Sequence, residues 1–191
     1  MTMAPTSRWT FLSNVTDETA AQLVEFAVTL PLLAVFIVGI FDFGSAFDTK
    51  QKLSNAAQEG ARTGSLLPLN DLTAAAPDSV KVVRDVVARY LQGAGLNDCG
   101  LQAAATPAGT NMTWEYDLTG GGCIGTLKLK IERAYPLATA IGGNPTKLLN
   151  TRVTLTYPYQ WKFNSVIQLM VPGGGTGVTE ITAASTMLNQ S

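Results

Sequence analysis

The sequence predicts an α+β protein with a long N-terminal helix, a second amphipathic helix and a small antiparallel sheet of about four strands. Three observations lead to this fold class. An uncharged apolar run occupies residues 26–41, and apolar residues with a helical period follow at 78–92. Period-two alternation of apolar and polar residues then recurs between residue 112 and the C-terminus. The first half of the long helix is predicted to span a membrane.

The apolar run 26–41 holds 16 residues without a charge, eleven of them Leu, Ile, Val or Phe, and is bounded by Glu25 and Asp42. With its flanks, residues 23–47, it would form a helix of about 37 Å, which is longer than a hydrocarbon core of about 30 Å. A single transmembrane helix is therefore the leading interpretation, with Asp42 as an acid at the membrane interface. The alternative is a secretory signal core that is cut after residues 44–46.

The helix is predicted to continue beyond the membrane into one further domain. The predicted boundaries are a leader peptide at 1–20, the transmembrane helix at 21–47, its extramembrane continuation at 48–65 and an α+β domain at 66–191. The continuation keeps a face of small and apolar residues that includes Gly60 and Gly64. Glycine lowers helix propensity, so both glycines are expected to pack closely against another helix or against the protein's own sheet. Pro31 removes a backbone N–H in mid-helix and predicts a kink.

The remainder of the chain reads as a helix followed by strands and turns. Asp78 or Ser79 is predicted to cap the second helix, which ends near Gln92. The alternation predicts strands at 112–118, 127–132, 153–163 and 178–187. Residues 136–145, with a proline at each end, are interpreted as a connection between strands. Pro158 predicts that its strand is an edge or is interrupted there.

Charge and residue types exclude most functional classes. The chain has 13 basic and 14 acidic residues and no histidine, so it offers no basic surface for nucleic acid and no His-based triad or general base. The glycine-rich segment 173–177 lacks the lysine of a phosphate-binding loop. We assign no catalytic residue, no metal site and no cofactor, and we expect that the protein is not an enzyme. Outside the cytoplasm, Cys99 and Cys123 are expected to form a disulfide bond, and the alternative is two buried thiols.

Residues 17–62 resemble a known family. The pattern consists of a short leader, Glu25-Phe26, an apolar run with Pro31, Phe43-Gly44 and then the run Asn55-Ala56-Ala57-Gln58-Glu59-Gly60-Ala61-Arg62. This order of segments resembles the TadE-like minor pilins (pseudopilins) of the tight-adherence, Flp-type pilus system. The resemblance implies a pilin-like fold and a precursor that a prepilin peptidase cuts between Ala20 and Ala21. The family usually has glycine at the position of Ala20.

The resemblance makes Glu25 the fifth and Phe26 the sixth residue of the mature chain, where they serve in pilin packing and register. A cut before Ala21 leaves an ammonium group one helical turn from Glu25. The carboxylate could then pair with its own terminus or with that of a neighbouring subunit, which would set the register of packed helices. The alternative is that Glu25 marks the membrane boundary and stays hydrated.

The function that the resemblance implies is that of a membrane-anchored minor pilin in the assembly of a tight-adherence type IV pilus. The expected partners are a prepilin peptidase, the major pilin, other minor pilins, the inner-membrane assembly platform and membrane lipid. The expected location is the bacterial inner membrane, in a single pass with a periplasmic C-terminal domain, and a surface pilus if the subunit is incorporated. Two other classes stay open: a bitopic periplasmic binding module tethered by one helix, and a secreted enzyme released after residue 46.

Overall fold

The first helix, α1, extends from Asp17 to Leu66 and contains the whole apolar run. In the computed structural model, which describes residues 17–74, 76–141, 144–162 and 177–190, the chain divides into two units, Met1–Phe41 and Asp42–Ser191. The first unit contributes the apolar part of α1. The second unit contains the rest of α1, a second helix, a short 3-10 helix and a sheet. The α+β fold class predicted from the sequence is therefore confirmed.

The second helix, α2 (Asp78–Gly93), packs one face into the core of the second unit. The buried residues of that face include Val80, Val83, Val87 and Leu91. Its N-cap residue is Pro77, which has no capping side chain. Instead, the Asp71 carboxylate accepts hydrogen bonds from the Ser79 backbone N–H at 2.7 Å and from the Ser79 hydroxyl at 2.9 Å. The prediction that Asp78 or Ser79 supplies the cap is therefore wrong, because the loop before the helix brings in its own acceptor.

Four antiparallel strands form one sheet in the order β1-β2-β3-β4, so each strand pairs with its neighbour in sequence. The strands are β1 (Thr113–Leu118), β2 (Leu127–Ile141), β3 (Asn144–Gln160) and β4 (Val178–Leu188). One face of the sheet packs with α1 and α2 around a common core, which includes Leu53, Ala57, Val83, Trp114, Leu129, Ile131, Val153 and Leu155. Burial of these apolar side chains is the main force that holds the second unit together.

The predicted connection at 136–145 is wrong, because β2 extends to Ile141, β3 begins at Asn144, and the two strands pair with each other within this range. Their pairing joins Pro136 to Leu149 and Ala140 to Pro145. In the described sheet, β1 and β4 end before this part of the strand pair, so each strand has a partner on one side here. Proline is tolerated at such positions because its missing N–H can face the open side.

Pro158, in β3, is another proline at a position where one side of the strand is unpaired in the described sheet. It pairs with Glu180 of β4, whereas the pairing of β3 with β2 reaches only as far as Thr156. The strand is therefore a local edge at Pro158, as predicted, although β3 is an inner strand elsewhere. The predicted end of this strand at residue 163 and the glycine-rich segment 173–176 lie outside the described residues.

Candidate assembly helix and the residues that hold it

The part of α1 in the first unit presents large apolar side chains to its surroundings. The exposed residues there are Leu23, Val24, Phe26, Val28, Leu30, Leu32, Leu33, Phe36, Ile37, Ile40 and Phe41. None of the most apolar window of this helix is buried. A helix that is apolar around most of its surface is stable in lipid or against other apolar helices, but not in water. Among the described residues, one helix, α1, is long and apolar enough to cross a membrane.

Glu25 is the one charged residue between positions 19 and 41. It is exposed, and its backbone carbonyl accepts a hydrogen bond from the Thr29 hydroxyl at 2.7 Å. Phe26 beside it is 63% exposed. Among the described residues, no ion pair is found for the Glu25 carboxylate. A charged carboxylate at the edge of an apolar membrane span is stabilised by pairing with a cation.

The predicted processing site, Ala20-Ala21, lies within the first two turns of α1, and both residues are exposed. Ala21 and Glu25 are four residues apart on the helix and therefore lie on the same face, about 6 Å apart along the axis. Pro31 lies further along, and α1 continues through it. Its missing N–H leaves the carbonyl of Ala27 without the usual helical donor.

Gly60 and Gly64 pack against the chain's own helix and sheet. A Cβ atom at Gly60 would lie 2.7 Å from Cγ2 of Val87 in α2. A Cβ atom at Gly64 would lie 2.6 Å from Cγ2 of Thr151 in β3 and 3.2 Å from Cγ2 of Val83 in α2. These distances are shorter than carbon contacts in folded proteins, so both positions require glycine for the observed approach. Both expected neighbours, another helix and the protein's own sheet, are therefore found, as α2 and β3 of the same chain.

We expect Gly64→Ala to destabilise the protein by about 1 to 2 kcal/mol. Overpacking costs about 1 to 3 kcal/mol, and the gain in helix propensity returns up to about 1 kcal/mol. Gly44→Ala in the same helix is the matched control, because nothing lies within 4 Å of a Cβ atom there. Urea unfolding of the full chain in detergent micelles measures both variants. A Gly64→Ala variant as stable as Gly44→Ala would contradict the close packing.

Asp42, the first residue of the second unit, is only 3% exposed. Its Oδ1 atom accepts a hydrogen bond from the Lys162 backbone N–H at 3.1 Å and from the Tyr159 hydroxyl at 3.4 Å. Burial, and after it the negative charge of Asp42, raises the pKa of Tyr159, so the phenol stays protonated and can donate. Asp42, which the sequence predicts at the membrane interface, is thus a buried acceptor that ties α1 to the end of β3.

Arg133 in β2 is a structural residue that sequence reasoning missed. Its side chain is fully buried and its guanidinium donates to backbone carbonyls at the end of α1 and just beyond it. The acceptors are Gly64, Leu67 at 2.9 Å and Pro68 at 3.0 Å. The last carbonyls of a helix lack helical donors and carry partial negative charge, so a cation there is favourable. Arg133 thus caps the C-terminus of the long helix.

A small polar network holds Arg133 in this position. Asn189 donates from Nδ2 to the Arg133 carbonyl at 3.0 Å and accepts from the Thr151 hydroxyl at 2.7 Å. Burial lowers the pKa of the Arg133 guanidinium, while the Asp71 carboxylate acts in the opposite direction. An arginine still remains charged at neutral pH. One feature of the sequence does predict that Arg133 is buried. It occupies the next position in the period-two alternation that buries every second residue of β2.

The predicted disulfide bond between Cys99 and Cys123 is confirmed, with a Cα–Cα distance of 5.5 Å. It joins the loop after α2 to the loop between β1 and β2. Gly121 in the second loop has a positive φ of 64°, and a Cβ atom there would lie 2.8 Å from the carbonyl carbon of Cys99. Asn97 reinforces this contact by donating to the Gly121 carbonyl at 2.7 Å. The two loops are therefore tightly apposed.

These features define an α+β protein with one exposed apolar helix near its N-terminus that is long enough to cross a membrane. The family model described as TadE-like protein matches residues 8–62, which confirms the resemblance found in the sequence. This segment covers less than a third of the chain and ends before the sheet. No curated protein and no solved structure matches the chain. The family match and the single candidate span together support a membrane protein associated with a tight-adherence pilus.

Proposed function

We propose that this protein is a membrane-anchored minor pilin, made as a precursor, that acts in the assembly of a tight-adherence type IV pilus. One observation carries the proposal: an exposed apolar helix whose isolated acid, Glu25, lies one turn from Ala21. The family match covers this part of the chain. In this proposal a prepilin peptidase cuts before Ala21, and the helix then packs with those of the major pilin and other minor pilins.

The proposed location follows from the same features. The apolar part of α1 lies in the bacterial inner membrane, where the assembly platform and the peptidase act on it. The second unit, with its disulfide bond, lies in the periplasm, because such bonds persist in oxidising compartments. The role is structural, and the protein is not an enzyme in this proposal.

The first test is the N-terminal residue and intact mass of the protein recovered from its native membrane. A chain that begins at Ala21 supports processing by a prepilin peptidase. A chain that begins at Phe47 would contradict the anchor and support a cleaved secretory signal. An uncut chain that begins at Met1 or Thr2 would contradict processing and favour a tethered binding module.

The second test is the substitution Glu25→Gln, which removes the charge and keeps the shape of the side chain. We expect loss of pilus assembly with unchanged amounts of processed protein in the membrane fraction, because the carboxylate pairs with a terminal ammonium group only when charged. Glu59→Gln is the matched control, an exposed acid in the same helix. Normal assembly with Glu25→Gln would show that Glu25 does not set the register of packed helices.

A further inference from the structure

Four aromatic side chains cluster where the second unit begins, and we call Phe43, Phe47, Tyr159 and Trp161 the aromatic rim. Phe43 is 60% exposed and Phe47 is 72% exposed. They lie four residues apart in α1 and therefore on one face of the helix. The Trp161 ring meets the rings of Phe43 and of Tyr159 edge to face, in each case with 5.3 Å between centroids.

The rim is held in place by hydrogen bonds from the end of the sheet. The Trp161 indole N–H donates to the Thr179 hydroxyl at 2.7 Å, and the Trp161 backbone N–H donates to the Gly177 carbonyl at 2.9 Å. The Tyr159 hydroxyl bonds Asp42. Hydrogen bonds thus fix the Tyr159 and Trp161 side chains, and the Phe43 ring packs against Trp161.

Charge is arranged in a way that suits a lipid surface. Asp42, the acid next to the apolar run, is buried behind Tyr159 and takes no part in the exposed surface. Lys162, which follows Trp161, is exposed. Asp48, beside Phe47, is exposed but forms an ion pair with Lys52 at 2.9 Å. Exposed aromatic rings together with the positive charge of the exposed lysine complement lipid headgroups that carry negative phosphate.

We infer that the aromatic rim lies at headgroup level against the surface of the lipid bilayer that holds the apolar part of α1. This inference rests on the proposed membrane anchor. Residues 23–42 number 20, and a helix of this length crosses a hydrocarbon core of about 30 Å. The end of β3 covers one face of α1 at Asp42, so lipid chains cannot surround the helix beyond this turn. The exposed ring of Phe43 and the half-buried ring of Trp161 then fall where aromatic residues are enriched in membrane proteins.

The inference makes the sheet domain a membrane-contacting body and not a domain on a free tether. A partner protein that covered the same rings would have to displace lipid from them.

Quenching of Trp161 fluorescence by spin-labelled lipid tests this inference on the full chain in phosphatidylcholine vesicles. The chain has three tryptophans, so Trp9→Phe is introduced throughout, and Trp114, which is 1% exposed, serves as an internal unquenched signal. We expect a label near the headgroup to quench more strongly than a label at the chain end. That quenching should disappear in Trp161→Phe. A Leu33→Trp variant in the Trp161→Phe background reports on the middle of the span.

The possible outcomes test the lipid contact of the aromatic rim and the membrane anchor separately. Trp161 left unquenched by either label, together with quenching of Leu33→Trp by the chain-end label, would overturn the rim contact and leave the anchor standing; the rim would then face water or protein. Leu33→Trp left unquenched by both labels would overturn the anchor and the rim contact together.

Discussion

Arg133→Met should lower the free energy of unfolding by about 3 kcal/mol. The loss of charge-assisted hydrogen bonds and the unpaired carbonyls destabilise the variant, whereas removal of a buried charge partly offsets this loss. The substitution keeps an unbranched side chain but removes the donor to the Leu67 and Pro68 carbonyls. It also removes one of two donors to the Gly64 carbonyl, which still accepts from the Leu67 backbone N–H at 3.2 Å. An unpaired buried carbonyl costs about 1 to 3 kcal/mol. Urea unfolding of the full chain in micelles, followed by near-UV circular dichroism, measures the loss as a lower unfolding midpoint.

Two further variants separate the capping role from the effect of charge. Arg133→Lys keeps the charge but loses the planar group that reaches several carbonyls at once, so its stability should fall between wild type and Arg133→Met. Arg152→Met is the control for loss of a positive charge, because Arg152 is partly exposed and lies 4.0 Å from Glu132. An Arg133→Met variant as stable as Arg152→Met would show that the end of α1 does not depend on this cap.

Patterns along the chain predicted most of the fold. The uncharged apolar run predicted the first part of α1, the helical period predicted the rest of α1 and α2, and the period-two alternation predicted four strands. The glycine positions in α1 predicted a packing surface because glycine is otherwise unfavourable in a helix. The sequence could not say which surface would meet them, because α2 and β3 reach Gly60 and Gly64 only through the tertiary fold.

Three features escaped sequence reasoning for physical reasons. The strand pairing within 136–145 was missed because proline is a poor strand residue except where one side of the strand is unpaired, and pairing is a tertiary property. Asp42 and Arg133 are charged residues, which are expected at the surface. Each is buried because partners distant in sequence supply hydrogen bonds, Tyr159 and Lys162 for Asp42 and the end of α1 for Arg133.

Removal of the disulfide bond should have an effect as large as that of Arg133→Met. The bond joins residues separated by 24 positions, and in the chain-entropy model closing such a loop stabilises the folded state by about 3 to 4 kcal/mol. We expect the double variant Cys99→Ser, Cys123→Ser to unfold at a correspondingly lower urea concentration. Its native structure should change little, because Gly121 and Asn97 already hold the two loops together.

The matched comparison for the double variant is the wild-type protein unfolded in the presence of a reducing agent. Reduction should lower the unfolding midpoint of the wild-type protein to that of the double variant and should leave the double variant unchanged. This result would mean that the lower stability of the double variant comes from the missing bond and not from the serine side chains. Two free thiols in protein from the native membrane, measured by mass after alkylation, would contradict the bond and also the periplasmic location, since an oxidising compartment would have formed it.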